Sequence, residues 1–125
     1  MGFEITWEPP HGVIKRHFGQ VTSTEVLVAN TRVEADSRFD VLRYVINDFL
    51  DCTGVKVFSG DIEEIAAIDS AAALVNPYIR NAIVATHPEV VVASNAYAND
   101  PLTAYPTKVF SCIADARDWL GLSSA

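Results

Sequence analysis

The chain begins with short stretches in which apolar and polar residues alternate. This alternation predicts one β-strand over residues 3–7 and a second over residues 13–18. The segment between them, residues 8–12, holds two prolines and a glycine, so we expect a tight turn and a β-hairpin. Gly19 and Gln20 are predicted to end the second strand.

Two later segments carry the sequence signals of helix starts. The stretch 22–25 is a capping box, in which the Thr22 hydroxyl accepts from the amide of the glutamate three residues on, and it predicts a helix to about Asp36. A second capping box at 61–64, with Asp61 as the N-cap, predicts a helix to Val75.

Three short apolar runs favour buried strands. They cover residues 42–49, 82–85 and 108–111. The segment 51–58, which contains a glycine, is interpreted as a loop.

Helices are predicted between and after these strands. Pro88 suits the first position of a helix, with His87 or Thr86 as the cap. The three valines at 90–92 favour a strand by propensity, but the alternation of elements around them favours a helix. A last helix covers residues 113–120.

The resulting order, ββαβαβαβα, predicts an α/β fold. We expect one five-stranded, mostly parallel sheet with an antiparallel first strand and four helices. The 125 residues are half hydrophobic and one fifth charged, so a single domain over residues 1–125 is expected. Ligands of such folds bind outside the carboxyl ends of the strands.

Charge and cysteine content narrow the function classes. The net charge of -7 would repel phosphate backbones, which excludes nucleic acid as a main partner. No apolar run has the length of a membrane span. Two scattered cysteines, Cys52 and Cys112, are typical of a reducing compartment, so a cytoplasmic location is expected.

Several core and capping segments together resemble the SpoIIAA-like proteins, small α/β domains related in fold to the STAS domains of anti-sigma-factor antagonists and sulfate transporters. The resemblance covers nearly the whole chain. More narrowly, the chain is similar to a bacterial family whose members are mostly uncharacterised. It rests on residues 12–14, 19–22, 38–39, 43–49, 69, 76–77, 82–85, 108–110, 114, 116, 119 and 120.

The resemblance implies a role for one serine. In antagonist-type STAS domains a serine at the start of the helix after the central strand accepts phosphate, and Ser59 is the nearest match here. Asp61 puts a negative charge where the added phosphate would lie, and Phe58 replaces the family's preceding aspartate. We therefore expect that Ser59 is not a phosphorylation switch in this chain.

Four residues form the candidate binding site at the predicted carboxyl edge of the sheet: Asp51, Ser59, Asp61 and His87. The preferred hypothesis is a non-catalytic, STAS-like regulatory or protein-interaction module. The alternative is a small-molecule-binding protein or an enzyme that uses this cluster. The residues predict no metal or other cofactor, and they leave a homo-oligomer open.

Two further positions carry polar residues of note. Asp69 lies among the apolar positions of its predicted helix, so its carboxylate is expected to have a structural partner. His17 lies on the second strand beside Lys15 and Arg16, and all three are interpreted as a solvated strand face.

Overall fold

The computed structural model describes residues 2–57 and 60–122. Its five strands form one sheet in the order β1-β2-β3-β4-β5. The first pair is antiparallel and all the others are parallel, which confirms the predicted architecture. The strands are β1 (Phe3–Glu8), β2 (Gly12–Thr22), β3 (Tyr44–Lys56), β4 (Arg80–Val84) and β5 (Thr107–Phe110).

Four α-helices connect and follow these strands. They are α1 (Ser23–Ala35), α2 (Asp61–Val75), α3 (Pro88–Ala98) and α4 (Ile113–Trp119), with a short 3-10 helix at Ser37–Val41. The valines at the start of α3 are helical, as the alternation of elements predicted. Among the described residues, no helix is both long and apolar enough to span a membrane.

The helices divide unequally between the two sheet faces. Side chains from α1, α2 and α3 pack with the strands in the core on one face. On the other face, Ala116 and Trp119 of α4 pack with Ile46 and Ala82 of the sheet. We call the first side the three-helix face, and it contains the candidate site described below.

The helix starts agree only in part with the predicted caps. The Thr22 hydroxyl accepts from the amide of Glu25 at 3.2 Å, and His87 Nδ1 accepts from the amide of Glu89 at 3.3 Å, so both predicted caps are confirmed. The prediction of Asp61 as a cap was wrong. Gly60 is the N-cap of α2 and has φ of 89°, a left-handed conformation that glycine adopts without a steric penalty.

The two central strands are longer than predicted. β2 continues through Gly19, whose φ of 73° accompanies a register shift, and it does not stop there. β3 includes most of the segment that was predicted to be a loop. The two strands support each other, because Gly19 pairs with Cys52 and Val21 pairs with Val55 beyond the end of β4.

The prediction of a solvated face on β2 was wrong for two residues. Lys15 is 7% exposed and His17 is 1% exposed. Both share strand parity with Val13, which is fully buried, so all three point to the three-helix face. Arg16 has the opposite parity and is the one of the three that reaches solvent.

Candidate functional site

A cavity of about 80 Å³ lies on the three-helix face below the carboxyl ends of β2 and β3, partly open to solvent. Its walls are mainly apolar. They are formed by residues of the sheet and of the starts of α1, α2 and α3, namely Val21, Val26, Phe49, Val55, Val57, Ile62, Ile65, Ile83, Val90 and Ala93. Ligand sites in parallel sheets lie at this edge, so the cavity is the candidate functional site.

The inner end of the cavity is polar and consists of a chain of hydrogen-bonded side chains. Lys15 Nζ donates to Asn30 Oδ1, and Asn30 Nδ2 donates to Asp69 Oδ1 at 3.4 Å. The Tyr97 hydroxyl donates to Asp69 Oδ2 at 2.5 Å. These contacts join β2, α1, α2 and α3, and they confirm that Asp69 has a structural partner.

Burial changes the pKa values of two of these hydrogen-bonded side chains. Burial lowers the pKa of the Lys15 ammonium, and the Asp69 and Glu34 carboxylates oppose that change. Burial, and then the Asp69 charge, raise the pKa of the Tyr97 phenol. Groups with perturbed ionisation that line one cavity are typical of functional sites.

A smaller cavity of about 30 Å³ continues from the same polar residues and includes Glu34. Burial, followed by the negative charge of Asp69, raises the pKa of Glu34 to about 7, and Lys15 acts in the opposite direction. Glu34 is therefore largely protonated below about pH 7, where an ordinary glutamate is ionised.

Two asparagines form the sheet side of the inner end. Asn47 Nδ2 donates to Asn81 Oδ1 at 2.5 Å and to the Ala82 carbonyl at 3.1 Å. Both asparagines line the larger cavity. In the described part of the chain, the Asn81 amide NH₂ has no protein acceptor, so it can donate into the cavity.

The sequence analysis placed Asp51 after the carboxyl end of the central strand, and this was wrong. Asp51 lies inside β3. Its Oδ2 accepts from Nε of Arg16 at 3.1 Å, and Nη1 of Arg16 donates to Glu4. Because Arg16 has the parity opposite to Lys15, this exposed ion-pair cluster lies on the sheet face away from the cavity.

Asp61 and His87 lie closer to the cavity but do not line it. Asp61 Oδ2 accepts from the Ser23 hydroxyl at 2.8 Å, and Ser23 belongs to the cavity wall. His87 caps α3, the helix that supplies Val90 to the wall. Ser59, the predicted phosphoacceptor, lies outside the described residues.

Sequence reasoning missed the cavity residues that carry charge and hydrogen bonds. One signal for them was available, because Asp69 in an apolar helix stripe required a buried partner. A second was strand parity, which places Lys15 on the same side as Val13. Among residues 2–57 and 60–122 there is no cluster of histidine, cysteine, aspartate and glutamate suited to a metal ion.

Comparisons with known proteins show the fold. No protein-family model and no curated protein matches the chain. The structure is similar to that of the anti-sigma factor antagonist SpoIIAA in its unphosphorylated form, with a TM-score of 0.61, 10% sequence identity, and coverage of 95% of this chain and 97% of that one. The chain therefore has the SpoIIAA-like fold that the sequence resemblance implied.

A second similar structure is an uncharacterised protein of the DUF3478 family, with a SpoIIAA-like fold, from Shewanella loihica PV-4. The TM-score is 0.55 and the sequence identity is 18%, over 94% of this chain and 91% of the other. Both likenesses concern the architecture of the domain. The chemistry of the cavity is a property of this chain's own residues.

Proposed function

We propose that this protein is a binding domain for a small, mainly apolar molecule that carries one polar group. The observation that supports the proposal is the cavity at the carboxyl edge, which has apolar walls and a polar inner end around Lys15. A cavity with this division of surface buries the apolar body of a ligand and fixes its orientation through a few polar contacts.

Binding is the activity that these residues favour. The Asp69 carboxylate already accepts from Tyr97 and Asn30, so it serves to hold the side chains around it in place. The Cys52 thiol is buried, and burial raises its pKa to about 12, which keeps it protonated and unreactive at neutral pH. We therefore assign these groups to the structure of the binding site.

The test is an NMR titration of the amide signals with isoamyl alcohol as a neutral apolar probe. We expect saturable shifts at Ile65, Ile83 and Val90, which line the cavity. The variant Ala93→Phe, which fills the cavity, should abolish these shifts. Val92→Phe is the matched control, because Val92 lies on the same helix and is 70% exposed.

Two results would oppose the proposal. One is the absence of saturable shifts at the wall residues of the wild-type protein. The other is equal binding by the wild-type protein and by Ala93→Phe, which would place the probe elsewhere on the molecule.

A second candidate function is the regulatory protein-interaction module inferred from the sequence. Its support is the similarity to SpoIIAA, an anti-sigma factor antagonist, across 95% of this chain. The predicted contact surface is the edge that carries Asp61 and His87. The cytoplasmic location and the single domain stay predictions, as does the homo-oligomer that the sequence leaves open.

The second candidate is tested by affinity capture with matched variants. A specific partner should be retained by the wild-type protein and by Leu74→Ser, since Leu74 is 88% exposed on the end of α2. It should be lost by the Asp61→Ala, His87→Ala double variant. Equal retention by all three proteins would remove this edge as the contact surface.

A further inference from the structure

The buried ammonium of Lys15 has too few acceptors within the protein. An ammonium carries three N–H donors, and Lys15 has one acceptor among the described residues, the neutral side-chain oxygen of Asn30. The ion pairs in the described part of the chain do not include Lys15. Burying a cation whose N–H donors lack acceptors costs free energy. The space beside the Lys15 ammonium is the cavity.

We propose that the cavity binds a small monocarboxylate, which accepts hydrogen bonds from Lys15 Nζ and lays its aliphatic chain along the apolar walls. This inference rests on the proposed function and names the class of ligand. The carboxylate supplies the missing acceptors, and the Asn81 amide offers a second donor at the same end of the cavity.

Among the described residues, no side chain other than Asn30 accepts a hydrogen bond from the Lys15 ammonium. The Asp69 and Glu34 carboxylates act on the Lys15 charge, but neither forms an ion pair with Lys15, and the two oxygens of Asp69 accept from Asn30 and from Tyr97. Asn30 stands between the cation and the anion, because its oxygen accepts from Lys15 and its nitrogen donates to Asp69. The Asp69 charge therefore offsets the Lys15 charge without filling its donor positions.

The size of the cavity limits the ligand. Its volume of about 80 Å³ is well below the roughly 150 Å³ of an apolar cavity that holds benzene. A carboxylate with a short branched chain is slightly larger than benzene, so it would fill the cavity and extend through its opening toward solvent. A long-chain fatty acid would leave most of its chain outside.

The charge around the opening limits the ligand further. Acidic residues lie in the first turns of all three helices that start at this edge, among them Glu25, Asp61 and Glu89. They disfavour anions of higher charge, such as phosphate. A single carboxylate needs only the one cation that the inner end provides.

The experiment compares isovalerate with isoamyl alcohol, which has the same carbon skeleton and no charge, by the same NMR titration near pH 6, where Glu34 is largely protonated and isovalerate is ionised. We expect the wild-type protein to bind isovalerate about tenfold more tightly, or better, as hydrogen bonds to a charged group provide. Lys15→Met should lose this preference and keep its affinity for the alcohol. Lys56→Met is the control, because Lys56 is an exposed lysine at the end of β3.

The outcomes separate the inference from the proposed function. Equal affinities for the two probes in the wild-type protein, or a preference that survives Lys15→Met, would overturn the carboxylate assignment and leave the binding cavity in place. Competition by inorganic phosphate would overturn it as well. Binding of neither probe would overturn both proposals. The wild-type comparison keeps the test decisive if Lys15→Met does not fold.

Discussion

The hydroxyl of Tyr97 donates a hydrogen bond of 2.5 Å to Oδ2 of Asp69, and this contact links α3 to α2 at the inner end of the cavity. Both residues are buried, and both line the cavity. Because Asp69 also accepts from Asn30 on α1, its carboxylate ties together the three helices of one sheet face. The position of the cavity walls thus depends on a buried polar contact as well as on apolar packing.

Replacing Tyr97 with phenylalanine tests that dependence. The variant keeps the ring and removes one donor to a buried carboxylate, so we expect a loss of about 1.5–3 kcal/mol in the free energy of unfolding. Urea denaturation measures it. Tyr78→Phe is the control, since Tyr78 is 69% exposed, and it should change stability by less than about 0.5 kcal/mol. Equal effects of the two substitutions would contradict the structural role of the Tyr97 hydroxyl.

The link between Lys15 and Asp69 through Asn30 predicts that their contributions are not additive. Removing the Asp69 carboxylate alone by Asp69→Asn takes away the larger of the two negative charges that act on Lys15. In a double-mutant cycle with Lys15→Met, we expect a coupling free energy of about 0.5–3 kcal/mol, with the double variant more stable than the sum of the single effects implies. Additive effects would show that the two charges do not interact.

His17 predicts a loss of stability in acid. Burial, and then the charge of Lys15, lower the pKa of His17 from 6.5 to about 4 in the folded protein. The unfolded chain therefore binds the proton first. The stabilising contribution is complete above about pH 6.5 and is lost as the pH falls toward 4.

The variant His17→Phe isolates this effect, because the ring of His17 packs between Phe3 and Phe49. Relative to the wild-type protein, the variant should gain on the order of 2 kcal/mol of stability between pH 8 and pH 5. Urea denaturation at both pH values measures it. The contribution of Glu34 to stability has the opposite pH dependence, because its pKa is raised to about 7 in the folded protein. Both proteins contain Glu34, so this contribution cancels in the comparison. A constant difference at both pH values would rule out a buried neutral His17.

Gly12 predicts a steric effect at the start of β2. A methyl group added there would overlap the ring of Tyr44, whose hydroxyl donates to Glu8 at 2.7 Å. We expect Gly12→Ala to destabilise the protein by about 1–3 kcal/mol. Gly54→Ala is the matched control within the same sheet, because nothing lies within 4 Å of its added methyl. Similar unfolding free energies for the two variants would contradict the close contact.

The order and type of the elements could be predicted from the sequence, because alternation and capping are local signals. The end of β3 could not. Its residues from Cys52 to Lys56 form strand because β2 continues through Gly19 to Thr22 and pairs with them, and this pairing depends on residues far apart in the chain. Similarly, Gly60 rather than Asp61 caps α2 because the chain turns through a left-handed conformation before the helix.

The candidate site was harder to predict than the fold. Asp61 and His87 lie at helix starts at the carboxyl edge, where the sequence placed them, and their part in binding stays a prediction. The polar inner end of the cavity was not expected, because Lys15 and Asn30 have no motif and meet only after β2 and α1 pack together. Asp69 was the one member whose position in an apolar stripe indicated a buried contact.

A crystal structure of the protein with isovalerate would locate the carboxylate site. We expect electron density for the ligand inside the cavity, with its carboxylate within hydrogen-bond distance of Lys15 Nζ and its branched chain against Phe49, Ile65 and Ile83. Density for isovalerate only at other surfaces, with the cavity lacking it at saturating concentration, would contradict the assignment of a monocarboxylate to this cavity.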